Sequence, residues 1–430
     1  MRGSFDMPKR SNGSAFMDRF IPRLDSQFVF SPGSSPSKNS RSDSQQRVDY
    51  DSLSPSTKLL SYHSREKKKA NNSSFENSAS STGSRREEKA TFEPKPIRAL
   101  EAPGLMDDYY LNLLEWGQGG HIAIGLEASL NLYNFNTGET TFVFDVNEVV
   151  PESRESFGLR PQSDAYLCSL SFDADGKRIA CGDSRGFVYI ADLESGKVVS
   201  HAAVHEGRVG SIHWQEGRLA TGSKDKLVRL FDVRENFISS TTAFAGHMQE
   251  ICGLKLSPNG AQLATGGNDN QLNLWDLRGL KPLGVLGTHE AAVKALAWHP
   301  KQSATLLSGS GTADRKIRTF DTHKLEEVSV IDTGSQVCSL AFDPDAKYLV
   351  STHGYSLNQM ILWDAQEELK KIDCVVAHRC RVLYLSASPC GRYVATGAGD
   401  ETLKLWRIVK PLKELKKGKS IFSGDIMRFR

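Results

Sequence analysis

The sequence predicts an all-β fold, a seven-bladed β-propeller, and two observations support that prediction. A segment of about a dozen residues occurs four times, with apolar residues at every second position between Gly and Asp turn residues, which is typical of strands joined by hairpins. Weaker copies bring the number of repeat units to seven. The clear copies are TGSKDKLVRLFD (Thr221–Asp232), TGGNDNQLNLWD (Thr265–Asp276), GSGTADRKIRTFD (Gly309–Asp321) and TGAGDETLKLWR (Thr396–Arg407).

Each repeat unit is predicted to be a small antiparallel sheet. In the second copy Leu272, Leu274 and Asp276 alternate with side chains that point to the other face of the strand. A single sheet of this size cannot bury its faces alone, whereas sheets packed radially around an axis bury them and leave only short edges. The repeats therefore predict a propeller.

Three residue types recur at fixed spacing in the clear copies. An Asp precedes an aromatic residue by six positions, and a His lies 20 to 25 positions before the Asp, which is the WD-repeat signature. Because a buried polar side chain is costly unless it is paired, we interpret these residues as a hydrogen-bonded network inside each blade; the alternative is metal ligation or catalysis. The residues are His205, Asp225 and Phe231; His247, Asp269 and Trp275; His289, Asp314 and Phe320; and His378, Asp400 and Trp406.

The spacing of all seven units sets the size of the ring. The segment from Leu111 to Arg407 spans 297 residues, or about 42 per unit, as expected of propeller blades. We predict one domain over residues 97–407, in which Ile97–Pro103 adds an outer strand across the first and last blades. The units begin near Leu111, Tyr166, Gly207, Met248, Glu290, Ser335 and Arg379.

The composition changes outside the predicted ring. Residues 1–96 are rich in Ser, Asn, Lys and Arg and poor in aliphatic residues, so we expect a disordered regulatory arm there. Residues 1–110 carry 18 Lys and Arg against 14 Asp and Glu, residues 408–430 carry 7 against 2, and residues 111–407 carry 29 against 35. An acidic ring with basic arms suits charged protein or nucleic-acid partners, unless the arms are merely solvated.

Catalytic motifs do not fit this architecture. Gly182–Gly186 matches the G-x-S-x-G nucleophile elbow, but that motif requires a strand–turn–helix context, whereas this pentapeptide joins two predicted strands. The sequence has no P-loop, dinucleotide fingerprint or H-E-x-x-H motif. We therefore predict a protein that is not an enzyme and that needs no cofactor or metal.

The cysteines and the apolar runs indicate the cellular environment. Seven cysteines form no C-x-x-C pair, and most fall beside aliphatic residues, so we expect reduced core residues of an intracellular protein. No apolar run approaches the roughly 18 residues that span a membrane, and the N-terminus lacks a signal-peptide core. The seven are Cys168, Cys181, Cys252, Cys338, Cys374, Cys380 and Cys390.

Several short sequence motifs resemble those of one protein family. The cluster Asp18-Arg19-Phe20-Ile21-Pro22-Arg23 resembles the C-box of the fizzy and fizzy-related coactivators of the anaphase-promoting complex, a multi-subunit ubiquitin ligase. The ring contains further phrases similar to the fizzy-related branch, and the resemblance covers most of the chain. These phrases are EAPGLMDDYYLNLLEW (Glu101–Trp116), GGNDN (Gly266–Asn270), GTADR (Gly311–Arg315), DTGSQVCSL (Asp332–Leu340), STHGY (Ser351–Tyr355) and RVLYL (Arg381–Leu385).

The resemblance implies a substrate-recognition coactivator in mitotic or meiotic protein degradation, with peptide sites on the propeller. A carboxylate suits the Lys of a KEN-box, and amides with an Arg suit its Glu and Asn; two carboxylates and an apolar slot suit the Arg and Leu of a destruction box. The KEN-box positions are Asp108, Asn268, Asn270, Thr312, Gln336 and Arg381, and the destruction-box positions are Leu100, Glu101 and Glu401. The alternative for each is an ordinary surface turn residue.

The resemblance also implies attachment to the ligase through the C-box and a C-terminal dipeptide. Family C-boxes usually run Asp-Arg-Phe-Ile-Pro-x-Arg, whereas here the second Arg is Arg23, one place early. Family chains usually end in Ile-Arg, and this one ends in Phe429-Arg430. The family's groove Asp is Glu101, which keeps the charge and adds one methylene. These departures suit a specialised, for instance meiotic, paralogue.

The arm carries candidate regulatory signals. Ser31, Ser35 and Ser54 each precede Pro, as in sites of cyclin-dependent kinases, and phosphorylation would oppose docking of a basic arm on an acidic surface. Arg65–Lys69 is either a nuclear import signal or a solvated charge cluster. We expect a protein of the nucleus and cytoplasm.

The expected partners follow from the resemblance: ligase subunits, degron-bearing substrates such as cyclins, pseudosubstrate inhibitors and a cyclin-dependent kinase. The alternative is a WD-repeat scaffold in chromatin or RNA assembly that is unrelated to ubiquitin. Nucleic acid is disfavoured because residues 61–90 contain only Tyr62 and Phe75 as stacking residues among the basic runs. We expect no membrane partner.

Overall fold

Seven antiparallel sheets form a closed ring in the computed structural model, which describes residues 90–149, 165–233 and 239–409. The first strand of each sheet contacts the first strand of the next sheet, and the seventh sheet contacts the first. This cyclic order confirms the predicted seven-bladed propeller. One helix, α1 (Val146–Val149), lies in the described residues, where no helix has the length and apolarity to cross a membrane.

The first three blades contain the following strands. Two short strands, β1 (Thr91–Phe92) and β2 (Arg98–Glu101), precede blade 1, which holds β3 (Leu114–Trp116), β4 (His121–Leu126), β5 (Ser129–Asn134) and β6 (Thr140–Asp145). Blade 2 holds β7 (Leu167–Phe172), β8 (Arg178–Asp183), β9 (Phe187–Asp192) and β10 (Lys197–Ala203). Blade 3 holds β11 (Ser211–Gln215), β12 (Arg218–Gly222), β13 (Leu227–Asp232) and β14 (Ser239–Ala245).

The other four blades repeat the pattern. Blade 4 holds β15 (Ile251–Leu256), β16 (Gln262–Gly267), β17 (Gln271–Asp276) and β18 (Lys281–Thr288). Blade 5 holds β19 (Val293–Trp298), β20 (Thr305–Ser310), β21 (Lys316–Asp321) and β22 (Glu326–Asp332). Blade 6 holds β23 (Val337–Phe342), β24 (Tyr348–His353), β25 (Gln359–Asp364) and β26 (Lys370–Val376), and blade 7 holds β27 (Tyr384–Ala387), β28 (Tyr393–Ala398) and β29 (Thr402–Val409).

Burial decreases from the axis of the ring to its rim. Every residue of β7 and β19, the first strands of blades 2 and 5, is buried, whereas most residues of the outermost strands β22 and β26 are exposed or half-buried. The apolar clusters lie between neighbouring blades rather than inside one sheet. Burying a large apolar side chain contributes about 1.5–3 kcal/mol, so each blade depends on its neighbours for stability.

The ring is closed in blade 7 by strands from both ends of the described chain. Both β1 and β2 pair with β29, so this sheet has five strands. The sequence predicted β2 but not β1. Arg98 of β2 reaches into blade 1, where its guanidinium donates to the carbonyl of Phe135 at 2.7 Å and lies 5.2 Å from the centroid of that ring. The segment therefore joins the last blade to the first, as expected.

The predicted His–Asp network is present in the four clear repeats. In blade 4 the His247 Nδ1 lies 3.1 Å from the Asp269 carboxylate, and its Nε2 lies 2.8 Å from the Thr265 hydroxyl. The Trp275 indole also donates to that hydroxyl, at 2.8 Å. Although burial alone would raise it, the hydrogen bond from His247 lowers the pKa of Asp269. The predicted hydrogen-bonded network inside the blade is therefore confirmed for the four clear repeats.

In blade 2 the buried Asp is paired by an arginine and a tyrosine instead of a histidine. The buried Asp183 accepts hydrogen bonds from the Arg185 side chain at 2.9 Å and from the Tyr189 hydroxyl at 3.0 Å. Arg185 and Asp183 belong to the G-x-S-x-G pentapeptide, which is the turn between strands β8 and β9. Since no helix follows this turn, the pentapeptide is not a nucleophile elbow.

Tyr109, Tyr384 and Lys294 pack together near the axis of the ring. Lys294 is 4% exposed; its ammonium donates to the Leu383 carbonyl at 3.0 Å and lies 5.5 and 5.1 Å from the rings of Tyr109 and Tyr384. Burial lowers the pKa of Lys294 from 10.5 to about 8.

The prediction for the cysteines is right for four of the seven. All are free, but only Cys168, Cys181, Cys252 and Cys338 are buried. Cys374 and Cys390 are exposed and Cys380 is half-buried, because the outermost strand β26 and the turns near the rim and faces leave side chains in solvent.

The predicted sites on the arms lie outside the described residues. These are the C-box residues Asp18–Arg23, the serines Ser31, Ser35 and Ser54, the cluster Arg65–Lys69, and the C-terminal Phe429 and Arg430.

We expect Thr265→Val to lower the free energy of unfolding by about 2–3 kcal/mol, because it leaves two donors or acceptors of the blade 4 network unpaired. The matched variant is Thr221→Val in blade 3, where Phe231 replaces the Trp. There His205 loses a partner at 2.7 Å, and the Arg229 carbonyl loses only a long contact at 3.5 Å. Urea unfolding should give a smaller loss for Thr221→Val, and equal losses would contradict this account of the network.

We expect the stability of the protein to depend on the titration of Lys294. Its folded pKa of about 8 lies below the unfolded value of 10.5, so the unfolded chain binds more protons between these pH values and stability rises with pH across that window. Relative to Lys294→Met, the wild type should gain about 3 kcal/mol over the whole window.

Urea unfolding at several pH values from about 7.5 to about 11 measures this difference, with Lys197→Met on the exposed first residue of β10 as control. Parallel pH profiles of the unfolding free energy for the wild type and Lys294→Met would show that burial does not shift the pKa of Lys294.

Candidate functional site

The predicted peptide-binding positions share one face of the ring, which we call the recognition face. Within each blade the first strand begins, the second ends and the third begins at this face. Three of the positions precede first strands, four lie in turns between second and third strands, and two lie at the end of β2. In that order they are Asp108, Gln336 and Arg381; Asn268, Asn270, Thr312 and Glu401; and Leu100 and Glu101.

Asp108 belongs to a cluster of three charged side chains. The Arg208 guanidinium donates to the Asp108 carboxylate at 2.7 Å and to the Glu250 carboxylate through both its Nε and a terminal nitrogen. The Asp108 carboxylate also accepts from the backbone N–H of Tyr110 at 2.9 Å. Two carboxylates and one guanidinium give this cluster a formal charge of −1, which favours a cationic ligand.

Tyr110 joins this cluster to Asn268. Its hydroxyl donates to the Asn268 side-chain oxygen at 2.8 Å, and the Arg208 guanidinium lies 5.6 Å from the centroid of its ring. The Asn268 side-chain nitrogen donates to the Gln249 side chain at 2.7 Å. Asn268 is thereby held in one orientation beside the acidic cluster.

Arg381 and Gln336 form a second group of polar residues. Arg381 donates to the Asp107 carboxylate at 3.1 Å and lies 5.1 Å from the centroid of the exposed Tyr355 ring. Gln336 is 3% exposed, and its buried side-chain oxygen has no hydrogen-bond partner among the described residues. A Cβ on Gly354 would lie 2.4 Å from that oxygen, so a larger residue there would displace the Gln336 amide.

Asn270 and Thr312 are not joined to either group. Asn270 has a φ of 65° in the turn after β16, and its carbonyl accepts from the His289 N–H at 2.8 Å. Thr312 is exposed in the corresponding turn of blade 5. Within the described part of the chain neither side chain makes a hydrogen bond to the other predicted positions.

The three remaining positions lie where blade 7 meets blade 1. Glu101 is paired with Thr402, and the N–H of Ala102 donates to the Glu401 carbonyl at 2.7 Å, so Glu101 and Glu401 are near neighbours. Both are exposed. Leu100 is 2% exposed, and it therefore supports this surface from inside the core rather than forming part of it.

The charged partners of these positions were not predicted from the sequence. Arg208, Glu250 and Asp107 come from blades 3 and 4 and from the segment before β3, and no local pattern brings them together. The phrase MDDYY (Met106–Tyr110) was the available signal, since consecutive acidic and aromatic residues before a first strand must lie near the axis. No group of three or more His, Cys, Asp or Glu residues suited to a metal occurs in the described segments.

The comparisons with known proteins agree with the propeller fold. The profile of the CDC20/Fizzy WD40 domain matches residues 100–406. The chain is 39% identical over 320 residues to Protein FIZZY-RELATED 3 of Arabidopsis thaliana, which covers 74% of this chain and 63% of that one. It is 39% identical to Meiotic fizzy-related protein 1 of Schizosaccharomyces pombe, with 76% and 74% covered. It is 36% identical to Anaphase-promoting complex subunit cdh1 of Dictyostelium discoideum, with 78% and 46% covered.

A solved structure shows the same ring. A chain in the crystal structure of a mitotic checkpoint complex is 36% identical, with a TM-score of 0.68, and the alignment covers 79% of this chain and 98% of that chain. The matched segment of this chain accounts for less than two thirds of the length of the Arabidopsis relative. From the profile match over more than half of the chain, and from the identity to the fizzy-related proteins, we conclude that the chain belongs to the CDC20/Fizzy family of non-enzymatic WD40 propellers.

Proposed function

We propose that this protein is a substrate-recognition coactivator of the anaphase-promoting complex and that its recognition face binds degradation signals of other proteins. Family membership supports the proposal, as do the names of the Dictyostelium relative, a subunit of that complex, and of the solved structure, a mitotic checkpoint complex. The observation that carries it is the common face with an acidic cluster, a pair of exposed carboxylates, and a buried amide oxygen that has no partner within the described part of the chain.

The acidic cluster suits the Lys of a Lys-Glu-Asn motif. Arg208 neutralises one of the two carboxylates of Asp108 and Glu250, so a peptide ammonium meets one uncompensated negative charge. The side-chain oxygen of Gln336 can accept from a ligand amide, and its burial makes an unpaired state costly. Arg381 can share its guanidinium between Asp107 and a ligand carboxylate.

The seam between blades 7 and 1 suits an Arg-x-x-Leu motif. A ligand guanidinium that lies between the exposed carboxylates of Glu101 and Glu401 is attracted by both. Leu100 packs behind this surface and fixes the strand that carries Glu101. Cyclins are the expected class of substrate, and inhibitors that present the same motifs would compete with them.

Attachment to the ligase is assigned to the ends of the chain. The C-box residues Asp18–Arg23 and the C-terminal Phe429-Arg430 would dock on ligase subunits. Phosphorylation of Ser31, Ser35 and Ser54 by a cyclin-dependent kinase would add about −1.5 to −2 charges each and weaken that docking. Arg65–Lys69 would direct part of the protein to the nucleus.

We expect the two peptide sites to be separable by single substitutions in the full chain. Gln336→Met, which removes the amide and keeps the length of the side chain, should weaken a Lys-Glu-Asn peptide about fivefold or more. Glu401→Gln should weaken an Arg-x-x-Leu peptide about two- to fivefold, since the lost charge is exposed. Each variant should leave the other peptide unaffected.

Fluorescence anisotropy with labelled peptides measures both affinities, and Glu139→Gln in the turn after β5, on the opposite face, is the control. Wild-type protein that binds neither peptide would remove the proposed function. Equal effects of the two substitutions on both peptides would remove the assignment of two sites.

We expect attachment to the ligase to require both ends of the chain. A variant with Arg19→Ala and without Phe429-Arg430 should recover fewer ligase subunits than the wild type in affinity purification from cells. Arg10→Ala, an arm residue outside the C-box, is the control. Equal recovery by the wild type and the variant would overturn the attachment model, while the peptide measurements on the ring would stand independently.

A further inference from the structure

A cavity lies on the axis of the ring, on the face opposite the recognition face. Its volume is about 540 Å³, within the range of about 300–1,000 Å³ that is typical of small-ligand sites. Lys294 and Cys338 line its deep end, and Ala174, Pro258 and Pro300, which lie in turns between first and second strands, line its mouth. None of the nine recognition-face positions lines it.

Equivalent residues of the seven blades form one level of the ring at this cavity, and all of them except Ser171 line it. The register of the first and second strands aligns one position in each blade, with Ala as its usual cross-strand partner. The aligned residues are Glu115, Ser171, His213, Lys255, Ala297, Ala341 and Ser386.

Most polar residues at this level have a common structural role. Each accepts a backbone N–H of the following blade: Phe172 donates to Glu115, Trp214 to Ser171 at 3.0 Å, Leu256 to His213 at 3.2 Å, and Trp116 to Ser386 at 2.9 Å. The position therefore requires either an acceptor that joins two blades or a small residue that leaves space.

Lys255 is the exception at this level. An ammonium donates and cannot accept, so Lys255 cannot make the bond that its neighbours make. Its ammonium has no hydrogen-bond or ion-pair partner among the described residues. Burial lowers the pKa of Lys255, and the charge of Glu115 opposes that shift. The Glu115 carboxylate is already bonded by the Phe172 N–H and the Ser171 hydroxyl. The lysine is therefore left without an acceptor.

The rest of the cavity adds a second donor and apolar walls. Because the Nδ1 of His213 accepts the Leu256 N–H, the proton of the neutral ring is on Nε2. Burial lowers the pKa of His213 well below its usual value, so the ring is neutral at pH 7. Trp214 and Trp298 belong to the wall, and the charged groups that line the cavity are Glu115, Lys255 and Lys294. Their formal sum is +1, which favours an anion.

We propose that this cavity binds a carboxylate attached to an apolar group, with the Lys255 ammonium as its ionic partner and His213 as a second donor. The apolar walls hold the hydrocarbon part of the ligand. The same chemistry occurs in a free small acid and at the C-terminus of a peptide that ends in Leu. The site is independent of the recognition face and of its proposed function.

The probe is N-acetyl-leucine, with the neutral N-acetyl-leucine amide as the matched control ligand. Isothermal titration with the full-length protein should show binding of the acid and not of the amide. Lys255→Met should weaken the acid about tenfold or more, Lys255→Arg should retain much of the binding, and Lys197→Met on the outermost strand of blade 2 should have no effect.

The outcomes are distinct. No binding of the acid, equal binding of acid and amide, or unchanged affinity in Lys255→Met would overturn the proposal. If Lys255→Met does not fold, the proposal is tested by the affinities of the acid and of the amide for the wild type and for Lys255→Arg. Equal affinities of the two ligands would overturn it. A decapeptide that ends in Leu and binds as tightly as the free acid identifies a chain terminus as the ligand, and binding of the acid alone identifies a small molecule.

Discussion

The closure of the ring at blade 7 is the constraint on which the rest of the structure depends. Each blade buries its apolar residues against its neighbours, so an open ring would expose two of these faces to water. Pairing of β1 and β2 with β29, together with the reach of Arg98 into blade 1, prevents this. The same closure produces the seam at which Glu101 and Glu401 become neighbours.

Most of the fold could be predicted from the sequence, because alternation within strands and the spacing of His, Asp and aromatic residues are local patterns. The blade 4 network formed by His247, Asp269 and Trp275 is an example. The first strand, β1, was missed because two residues contain no periodicity. The recognition-face positions came from a family resemblance, whereas the ion pairs of Arg208 join residues 42 and 100 positions apart, which no pattern in the sequence encodes.

The charges of the recognition face are mostly satisfied before any ligand arrives. Asp108 is paired with Arg208, and Arg381 is paired with Asp107. A ligand must therefore share or replace existing ion pairs, and the net gain from each is smaller than for an isolated charge. Such pairs fix the positions of side chains and discriminate between ligands of different charge pattern more than they add affinity. The buried oxygen of Gln336 is different, since within the described residues it has no competing partner.

Thr91 is paired with Val409, so the two arms of the chain leave the ring from adjacent backbone positions. If both arms hold the ligase, as proposed, the contacts form a bivalent tether anchored at a single edge. When one arm dissociates, the other arm keeps the dissociated arm at a high effective concentration near its binding site, and rebinding becomes an intramolecular event. Two weak contacts, one through the altered C-box and one through the unusual Phe-Arg terminus, can then give a long residence time through avidity alone.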